Sequence, residues 1–293
     1  MGSVIQILLH NLFMVGVMAL STLGITLTYR AANVANFAQS VLATGGAFTA
    51  AWMFRQWGVS PWFALLGGMG VCFVIGWVID VVIVGNLTSS AIGRVMITLG
   101  LILIFTATIP MIFGVIPYNF PRFFTGNIDF VMGGRDFTMT RNGLFTFLIS
   151  GTVIAVIFIA LHATKWGLSV RATASNSTVA AMMGINTKRI TAMSWAISSA
   201  CAALAAILLG AQTTNVTTTM LVSIQSLALL AFVMGGANSF YGPIVGAVLI
   251  PLVTAMLAMI SGLWANVFLY TLVLLVILVR PNGIFGKKTI EKV

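Results

Sequence analysis

Charged side chains are scarce in this sequence. Only 6% of its 293 residues are Asp, Glu, Lys or Arg, whereas 60% are hydrophobic. A soluble domain carries roughly a quarter charged residues, because its surface must face water. The composition therefore excludes a water-soluble fold and indicates a protein whose surface faces lipid.

The groups that serve acid–base catalysis and metal binding are also few. The chain has four acids and two histidines, His10 and His162, and no local motif places any pair of them for proton transfer. Cys72 and Cys201 lie in apolar runs without a second Cys or His at a metal-binding spacing, so we expect buried thiols. We predict no catalytic residue, no metal site and no enzyme activity on this chain.

One carboxylate, Asp80, lies near the end of an apolar run. A carboxylate within the membrane is a candidate for ion or proton coupling. Because the run ends close by, at Asn86, we favour an interfacial position in which Asp80 pairs with Arg94.

Long apolar runs occur along the whole chain, and about 20 such residues are enough to cross the hydrocarbon core. With polar and charged residues as breaks, the predicted segments are residues 4–28, 34–54, 61–84, 95–116, 143–162, 190–210, 222–235, 244–260 and 265–279. Two of the last four are short for a full crossing and are candidates for broken or re-entrant helices. The predicted fold is an all-α, polytopic transmembrane helical bundle of about eight to ten segments, forming a single domain over residues 1–293.

The net charge of +10 could suggest a nucleic-acid partner. The basic residues are instead dispersed in short loops, which is typical of the positive charge that cytoplasmic loops retain. We therefore predict no nucleic-acid partner. Residues 165–189 and the C-terminal Lys287, Lys288 and Lys292 are predicted to be cytoplasmic, and the loop at residues 117–141 to face outward.

The polar segment at residues 165–189 predicts a short amphipathic helix. Asn176 or Ser177 can cap its start, and Gly184 can end it. Between them an apolar stripe runs through Val179, Met182 and Met183. Such a helix can dock on a partner protein or lie on the membrane surface, and composition alone does not choose between the two.

Polar side chains inside the apolar runs are candidates for lining the route of a small polar solute. They are Asn33, Asn36, Gln39, Thr44, Gln225 and Ser226. Hydrogen bonds between helices are the competing explanation for the same residues.

A further group contains residues that can break a helix or allow close packing. Its members are Gly235, Gly236, Gly242, Pro243 and Gly246. A break at membrane depth is tolerated where the backbone lines a cavity or is buried in protein, and close helix packing is the alternative. Small residues also repeat every four positions at Ser198, Ala202, Ala206 and Gly210, which predicts a helix face that a neighbour approaches closely.

Four stretches of the chain, taken in order, resemble one known family. They are residues 33–39 (NVANFAQ), residues 171–186 (RATASN followed by AAMMGIN), residues 231–246 (AFVMGG followed by GPIVG) and residues 280–286 (RPNGIFG). The sequence is similar there to the bacterial branched-chain amino acid ABC transporter permeases, and the resemblance spans about residues 27–286.

This resemblance implies a multi-pass permease subunit in the bacterial cytoplasmic (inner) membrane, in an importer for leucine, isoleucine, valine or related amino acids. The implied partners are a second permease subunit, expected to be a different chain, two ATP-binding subunits and an extracytoplasmic substrate-binding protein. ATP and Mg would be bound by the ATP-binding subunits. This chain would bind no cofactor, and it would also contact membrane lipid.

Carried over to this sequence, residues 165–189 would be the cytoplasmic segment that couples the permease to the ATPase subunits. The implied contact positions are Arg171, Ser175, Asn176, Val179, Met182, Met183 and Gly184.

The sequence departs from the family where Gln39 and Ser40 follow Asn-Phe-Ala, since His-Gly is common there. Relatives with this fold also carry urea, short amides or other small polar solutes, which gives one alternative substrate class. A stand-alone secondary transporter is the other alternative. It would need no docking partner for residues 165–189, and it would usually carry more buried ionisable groups.

Overall fold

Helices dominate the computed structural model, which describes residues 2–86, 91–132 and 134–286. Within them the chain forms twelve α-helices: α1 (Gly2–His10), α2 (Leu12–Ala32), α3 (Gln39–Trp57), α4 (Pro61–Ile79), α5 (Ala91–Phe113), α6 (Arg141–Ala163), α7 (Lys165–Ser175), α8 (Ser177–Met182), α9 (Thr187–Thr213), α10 (Val222–Gly235), α11 (Gly242–Ile260) and α12 (Ala265–Val279). A π-helical turn, Asp80–Val84, extends α4. The basic residues Lys287, Lys288 and Lys292 lie outside the described part of the chain.

Six of the described helices are long and apolar enough to cross a membrane. They are Leu12–Ala32, Pro61–Val84, Ile92–Phe113, Arg141–Ala163, Thr187–Thr213 and Gly242–Ile260. Two shorter apolar helices, α10 and α12, coincide with the two predicted segments that were short for a crossing. The prediction of an all-α, polytopic bundle is confirmed.

The structure differs from the predicted segments at two breaks near the N-terminus. The run at residues 4–28 is two helices that separate at Asn11, whose Nδ2 donates a hydrogen bond to Ile7 O at 2.8 Å. The run at residues 34–54 is helical only from Gln39 onward. Hydropathy is averaged over a window of about 19 residues, so it cannot locate a break that is much shorter than the window.

Helices α9 and α2 form the centre of the bundle. In the most apolar window of each span, 83% of the residues of α9 and 78% of those of α2 are buried, against 17% for α5 and α6. Helix α9 packs against α2, α3 and α4. The predicted face of small residues in α9 lies in this packing, since Ser198, Ala202, Ala206 and Gly210 are all buried.

Helix α3 is long enough to span a membrane but is not among the six apolar helices, because protein surrounds it. Its buried residues include Gln39, Ser40 and Thr44. A helix that does not face lipid needs no continuous apolar surface, so the interior of this protein can hold polar groups at that place.

Two glycines allow α3 and α4 to approach each other closely. An ideal Cβ on Gly68 of α4 would lie 2.5 Å from Gly46 O of α3, and one on Gly46 would lie 2.6 Å from Cys72 Sγ. A side chain at position 68 would therefore displace the backbone of α3, and one at position 46 would displace the Cys72 side chain. The α3–α4 contact therefore depends on the absence of side chains at these positions.

The loop at residues 117–141 is more ordered than expected, and its strands were not predicted. Strands β2 (Asn127–Met132) and β3 (Arg135–Thr140) form an antiparallel hairpin. Strand β1 (Tyr118–Asn119) pairs with β4 (Asn215–Val216), which directly follows α9. Helix α1 also contacts the hairpin, because Gln6 Nε2 donates to Thr138 O at 2.7 Å and Gln6 Oε1 accepts from Thr138 N at 3.1 Å. These contacts form an ordered cap over this end of the bundle.

We predict that Gly68→Val lowers the thermal unfolding midpoint of the purified protein by several degrees, because overpacking a close contact costs about 1–3 kcal/mol. The matched control is Gly70→Val, two residues along the same helix, where a Cβ would meet no atom within 4 Å. We expect the control to leave the midpoint nearly unchanged. Equal midpoints for the two variants would contradict the assigned α3–α4 contact.

Candidate functional site

A short non-helical segment, residues 33–38, interrupts the chain between α2 and α3. Helix α2 ends at Asn33, which adopts a left-handed conformation with φ of 54° and donates its N–H to Tyr29 O at 2.7 Å. The segment then turns into the bundle and is tied there by side chains. Asn36 Oδ1 accepts from Ala38 N at 3.0 Å, and Gln225 Nε2 of α10 donates to Asn36 O at 3.2 Å. Specific hydrogen bonds therefore hold the interruption in place inside the bundle.

Gln39, at the start of α3, is the centre of a buried polar cluster. Its Nε2 donates to Ser21 O of α2 at 2.7 Å. The hydroxyl of Ser198 in α9 lies 2.8 Å from Gly24 O and 3.1 Å from Gln39 Oε1, and it can donate its proton to one of these oxygens at a time. Gly24 provides the room, since an ideal Cβ there would lie 2.7 Å from Gln39 Nε2. Three helices are thus joined through one amide.

The structure brings together only part of the predicted route. Asn36, Gln39 and Gln225 lie in one buried cluster, and the last two line a small cavity that does not admit a water molecule. Asn33 is exposed at the end of α2. The hydroxyls of Thr44 and Ser226 bond within their own helices instead, to Ser40 O and Val222 O. A role in solute passage stays a prediction for all six residues.

Sequence reasoning missed the partners of this cluster, Ser21 and Gly24. It identified Ser198 only as one of four small residues on a helix face. The local sequence around Ser21 and Gly24 gives no sign that an amide packs against them, because Gln39 belongs to another helix.

The predicted coupling segment contains two helices, of which the sequence predicts only the second, α8. The first, α7, is capped by Thr164, whose Oγ1 accepts from Gly167 N at 3.1 Å. It folds back on the bundle with Val170 and Thr173 buried. Arg171 on the same helix is half-buried, and its Nε has no hydrogen-bond partner.

Helix α8 has the capping that its sequence predicts. Asn176 Oδ1 accepts from Thr178 N and Val179 N, both at 3.0 Å. At the other end Gly184 has φ of 84°, and its N–H donates to Ala181 O at 3.0 Å. Ser175 and Gly184, like the capping residue itself, are exposed.

The apolar stripe of α8 faces away from the bundle. Met182 is 80% exposed, Met183 79% and Val179 52%, whereas Ala180 is 4% exposed on the opposite side. An exposed methionine cluster on a rigidly capped helix is a typical surface for binding a partner.

Helix α9 follows α8 closely and connects it with the buried cluster. Asn186 caps α9 by accepting from Arg189 N at 3.1 Å. Ser198 lies eleven positions after Thr187, a helical distance of about 16 Å. The helix is uninterrupted over this distance.

Asp80 lies near the end of its span, as expected, and it is buried in protein. It is 2% exposed, and its Oδ2 accepts from Thr191 Oγ1 of α9 at 3.0 Å, while its Oδ1 has no hydrogen-bond partner. Arg94 also interacts electrostatically with this carboxylate, in agreement with the predicted pairing. The hydrogen bond from Thr191 fastens the π-helical turn to the first turns of α9.

The predicted helix-breaking residues form the turn between α10 and α11. Gly235 ends α10, Gly236 has φ of 104°, and Gly242 and Pro243 begin α11. The four are buried. Gly246, one turn into α11, leaves no room for a Cβ beside the backbone of Ala231. Because glycine has no side chain, these positions allow the backbones of α10, α11 and the turn between them to contact one another.

The stretch at residues 280–286 forms hydrogen bonds with the end of α10, beside this turn. Ile284 N donates to Met234 O at 2.8 Å and Phe285 N to Gly235 O at 3.2 Å. Carbonyls at the end of a helix have no partner within the helix, so this stretch completes the hydrogen bonding of α10.

This chain is similar to known proteins over nearly its whole length. Residues 7–278 match the family described as branched-chain amino acid transport system / permease component. The chain is 28% identical to the probable branched-chain amino acid transport permease protein LivH of Methanocaldococcus jannaschii, over 92% of this chain and 88% of the relative. It is 26% identical to the high-affinity branched-chain amino acid transport system permease protein LivH of Escherichia coli K12, over 94% and 93%.

One solved structure shares the fold. It is PsaBC from Streptococcus pneumoniae in complex with Fab, with a TM-score of 0.50 and 14% identity over 93% of this chain and 91% of that one. At this identity the likeness concerns the arrangement of helices alone.

We predict that Ser198→Ala destabilises the purified protein by about 0.6–2 kcal/mol, the range measured for hydrogen bonds between helices in membranes. Ser150→Ala is the matched control, because Ser150 is also fully buried but its Oγ has no hydrogen-bond partner. We expect the control to leave thermal stability unchanged or to raise it. A loss as large in the control as in Ser198→Ala would refute the special role of the Gln39 cluster.

Proposed function

This chain belongs to the family of branched-chain amino acid transport system permease components, and from that membership we propose that it is the permease subunit of a bacterial ABC importer for branched-chain or related amino acids. It forms the translocation pathway in the cytoplasmic membrane. It couples to separate ATPase subunits through residues 165–189.

The observation that carries the coupling role is the exposed apolar face of α8. Val179 and Met183 are four residues apart and project from the same side of the helix, with Met182 beside them. Anchors at this spacing fit a helix that lies in the groove of a partner. The helix is too short and too firmly capped to rearrange on its own, so an ATPase subunit that holds it moves α9 with it.

Three contacts along the path from α8 into the bundle support this role. Ala180 anchors α8 at its buried side, and Thr191 fastens α9 to Asp80. Farther along, Ser198 reaches Gln39 and therefore the start of α3. In the proposed mechanism, closure of the ATPase subunits displaces α8 and α9 and loosens the Gln39 cluster.

The other parts of the transporter belong to other chains in this proposal. Two ATP-binding subunits hold ATP and Mg, a second permease subunit completes the pathway, and an extracytoplasmic binding protein delivers the amino acid. Within this chain Asn36, Gln39 and Gln225 are candidates for polar groups along the route. Gln225 donates to Asn36 O and Gln39 donates to Ser21 O, so both amides are held by backbone oxygens while the route is closed.

The experiment is ATP-dependent uptake of labelled leucine into proteoliposomes that contain the purified complex and its binding protein. Unlabelled isoleucine, valine, urea and acetamide serve as competitors. We expect uptake that requires ATP and that the amino acids suppress, while urea and acetamide do not. If only urea or acetamide suppressed uptake, the substrate would be assigned to the small amides instead of the amino acids. Uptake without ATP or partner subunits would contradict the proposal that the chain belongs to an ATP-driven importer.

For the coupling role we predict that Met183→Arg abolishes uptake and reduces recovery of the ATPase subunits with the permease, because a charge cannot enter an apolar groove. The matched control is Met183→Leu, which keeps size and apolarity and should retain both. If α8 lay on the membrane surface instead, Arg would be tolerated beside anionic lipid. Full uptake by Met183→Arg would therefore sink the coupling role.

A further inference from the structure

A basic cavity, here called the basin, opens at the same end of the bundle as α8. It has a volume of about 690 Å³, and its walls come from the ends of α2, α7 and α9, the start of α5 and the α10–α11 turn. Its charged and polar lining includes Arg30, Arg94, Lys188, Thr173, Ser175 and Asn238. The predicted coupling residues Ser175 and Asn176 also line it, whereas Val179, Met182 and Met183 on the exposed face of α8 do not.

The charge of the basin is of one sign. Arg30, Arg94 and Lys188 come from three different helices, and among the described residues none with a carboxylate lines the basin. Two of the cations are held in place. Arg94 Nη1 donates to Ala32 O at 3.2 Å, and the Arg30 guanidinium carbon lies 4.9 Å from the centroid of the Phe240 ring. Asp80, which lines a neighbouring cavity, interacts electrostatically with Arg94. The basin nevertheless keeps an excess of positive charge, which favours an anionic ligand.

Three buried donors in the basin have no hydrogen-bond partner in the part of the chain that the structure describes. Arg30 Nε, Arg94 Nε and Thr173 Oγ1 are all buried without a hydrogen bond, and Thr173 as a whole is only 5% exposed. Buried polar groups are nearly always satisfied, and unsatisfied ones require a specific explanation. Two guanidinium nitrogens and a hydroxyl are the donors that a phosphate group accepts from most readily.

A second cavity, here called the groove, adjoins the basin and shares Gly85 and Lys188 with it. It has a volume of about 720 Å³, and its lining includes Trp77, Val81, Trp166, Ile190 and Met193. Trp77 and Val81 are 47% and 40% exposed on the surface of a membrane span. Asp80 also lines the groove, but its Oδ2 is bonded to Thr191. The groove is thus largely apolar and borders the lipid.

We propose that the basin binds a phosphate group, and that the adjoining groove identifies its source as an anionic phospholipid of the membrane. The phosphate lies among Arg30, Arg94 and Lys188, and an acyl chain follows the groove between α4 and α9. Basic pockets between transmembrane helices on the cytoplasmic side are a known way of binding such head groups. A bound lipid would join the ends of α2, α5 and α9, independently of the solute carried.

The test measures lipid binding by the purified complex that contains this chain. Native mass spectrometry in detergent compares retention of dioleoylphosphatidylglycerol and dioleoylphosphatidylcholine. We expect preferential retention of the anionic lipid, and about fivefold weaker retention after Lys188→Gln, as for the loss of one basic contact. Lys165→Gln is the matched control, since Lys165 is an exposed lysine in the same segment that does not line the basin.

Two further arms make the outcome decisive. Arg30→Gln removes a second cation on another helix and should weaken retention of the anionic lipid as well. Inorganic phosphate is titrated in parallel, with thermal stability as the readout. Stabilisation by phosphate alone that Lys188→Gln abolishes would support the phosphate site but overturn the lipid source. The proposal fails if Lys188→Gln and Lys165→Gln behave alike with both probes.

Discussion

Hydrocarbon offers no hydrogen-bond partner to a peptide group, so any backbone that leaves helical geometry inside a membrane protein must be satisfied by the protein itself. Residues 33–38 impose this requirement here. Asn36 Oδ1 accepts from Ala38 N, Gln225 of α10 donates to Asn36 O, and Arg94 of α5 donates to Ala32 O beside the break. Three elements distant in sequence must therefore meet at one place. The arrangement of α2, α3, α5 and α10 follows from that need.

The same requirement explains why small residues lie at the centre of the bundle. It also relates that centre to the predicted coupling segment, residues 165–189. Helix α9 can reach the break only by close approach, which Gly24 permits by leaving room for Ser198 and Gln39. Helix α9 also begins directly after α8 and is uninterrupted between the two sites. Helix α9 therefore connects the exposed apolar surface of α8, which precedes it, with Gln39 at the start of α3.

The sequence predicts those features whose causes are local. Apolar runs predict the spans, because about 20 such residues are needed to cross the membrane, and Asn176 and Gly184 predict both ends of α8. It does not predict contacts that depend on distant residues. Helix α7 forms because Val170 and Thr173 pack on the bundle, and the β2–β3 hairpin is supported by Gln6 from the N-terminal helix. The cluster around Gln39 likewise needs Ser198, 159 positions away.

The central claim is that the start of α3 and the polar cluster around Gln39 are sealed inside protein. The most direct measurement is the reactivity of introduced cysteines with a small water-soluble thiol reagent in inside-out membrane vesicles. Ser40→Cys is nearly isosteric at a position 7% exposed, Asn33→Cys is exposed, and the native Cys72 and Cys201 are 1% and 3% exposed. The account predicts rapid labelling of Asn33→Cys and no labelling of Ser40→Cys above the native background. Equal labelling of the two variants would show an open, water-filled interior and contradict it.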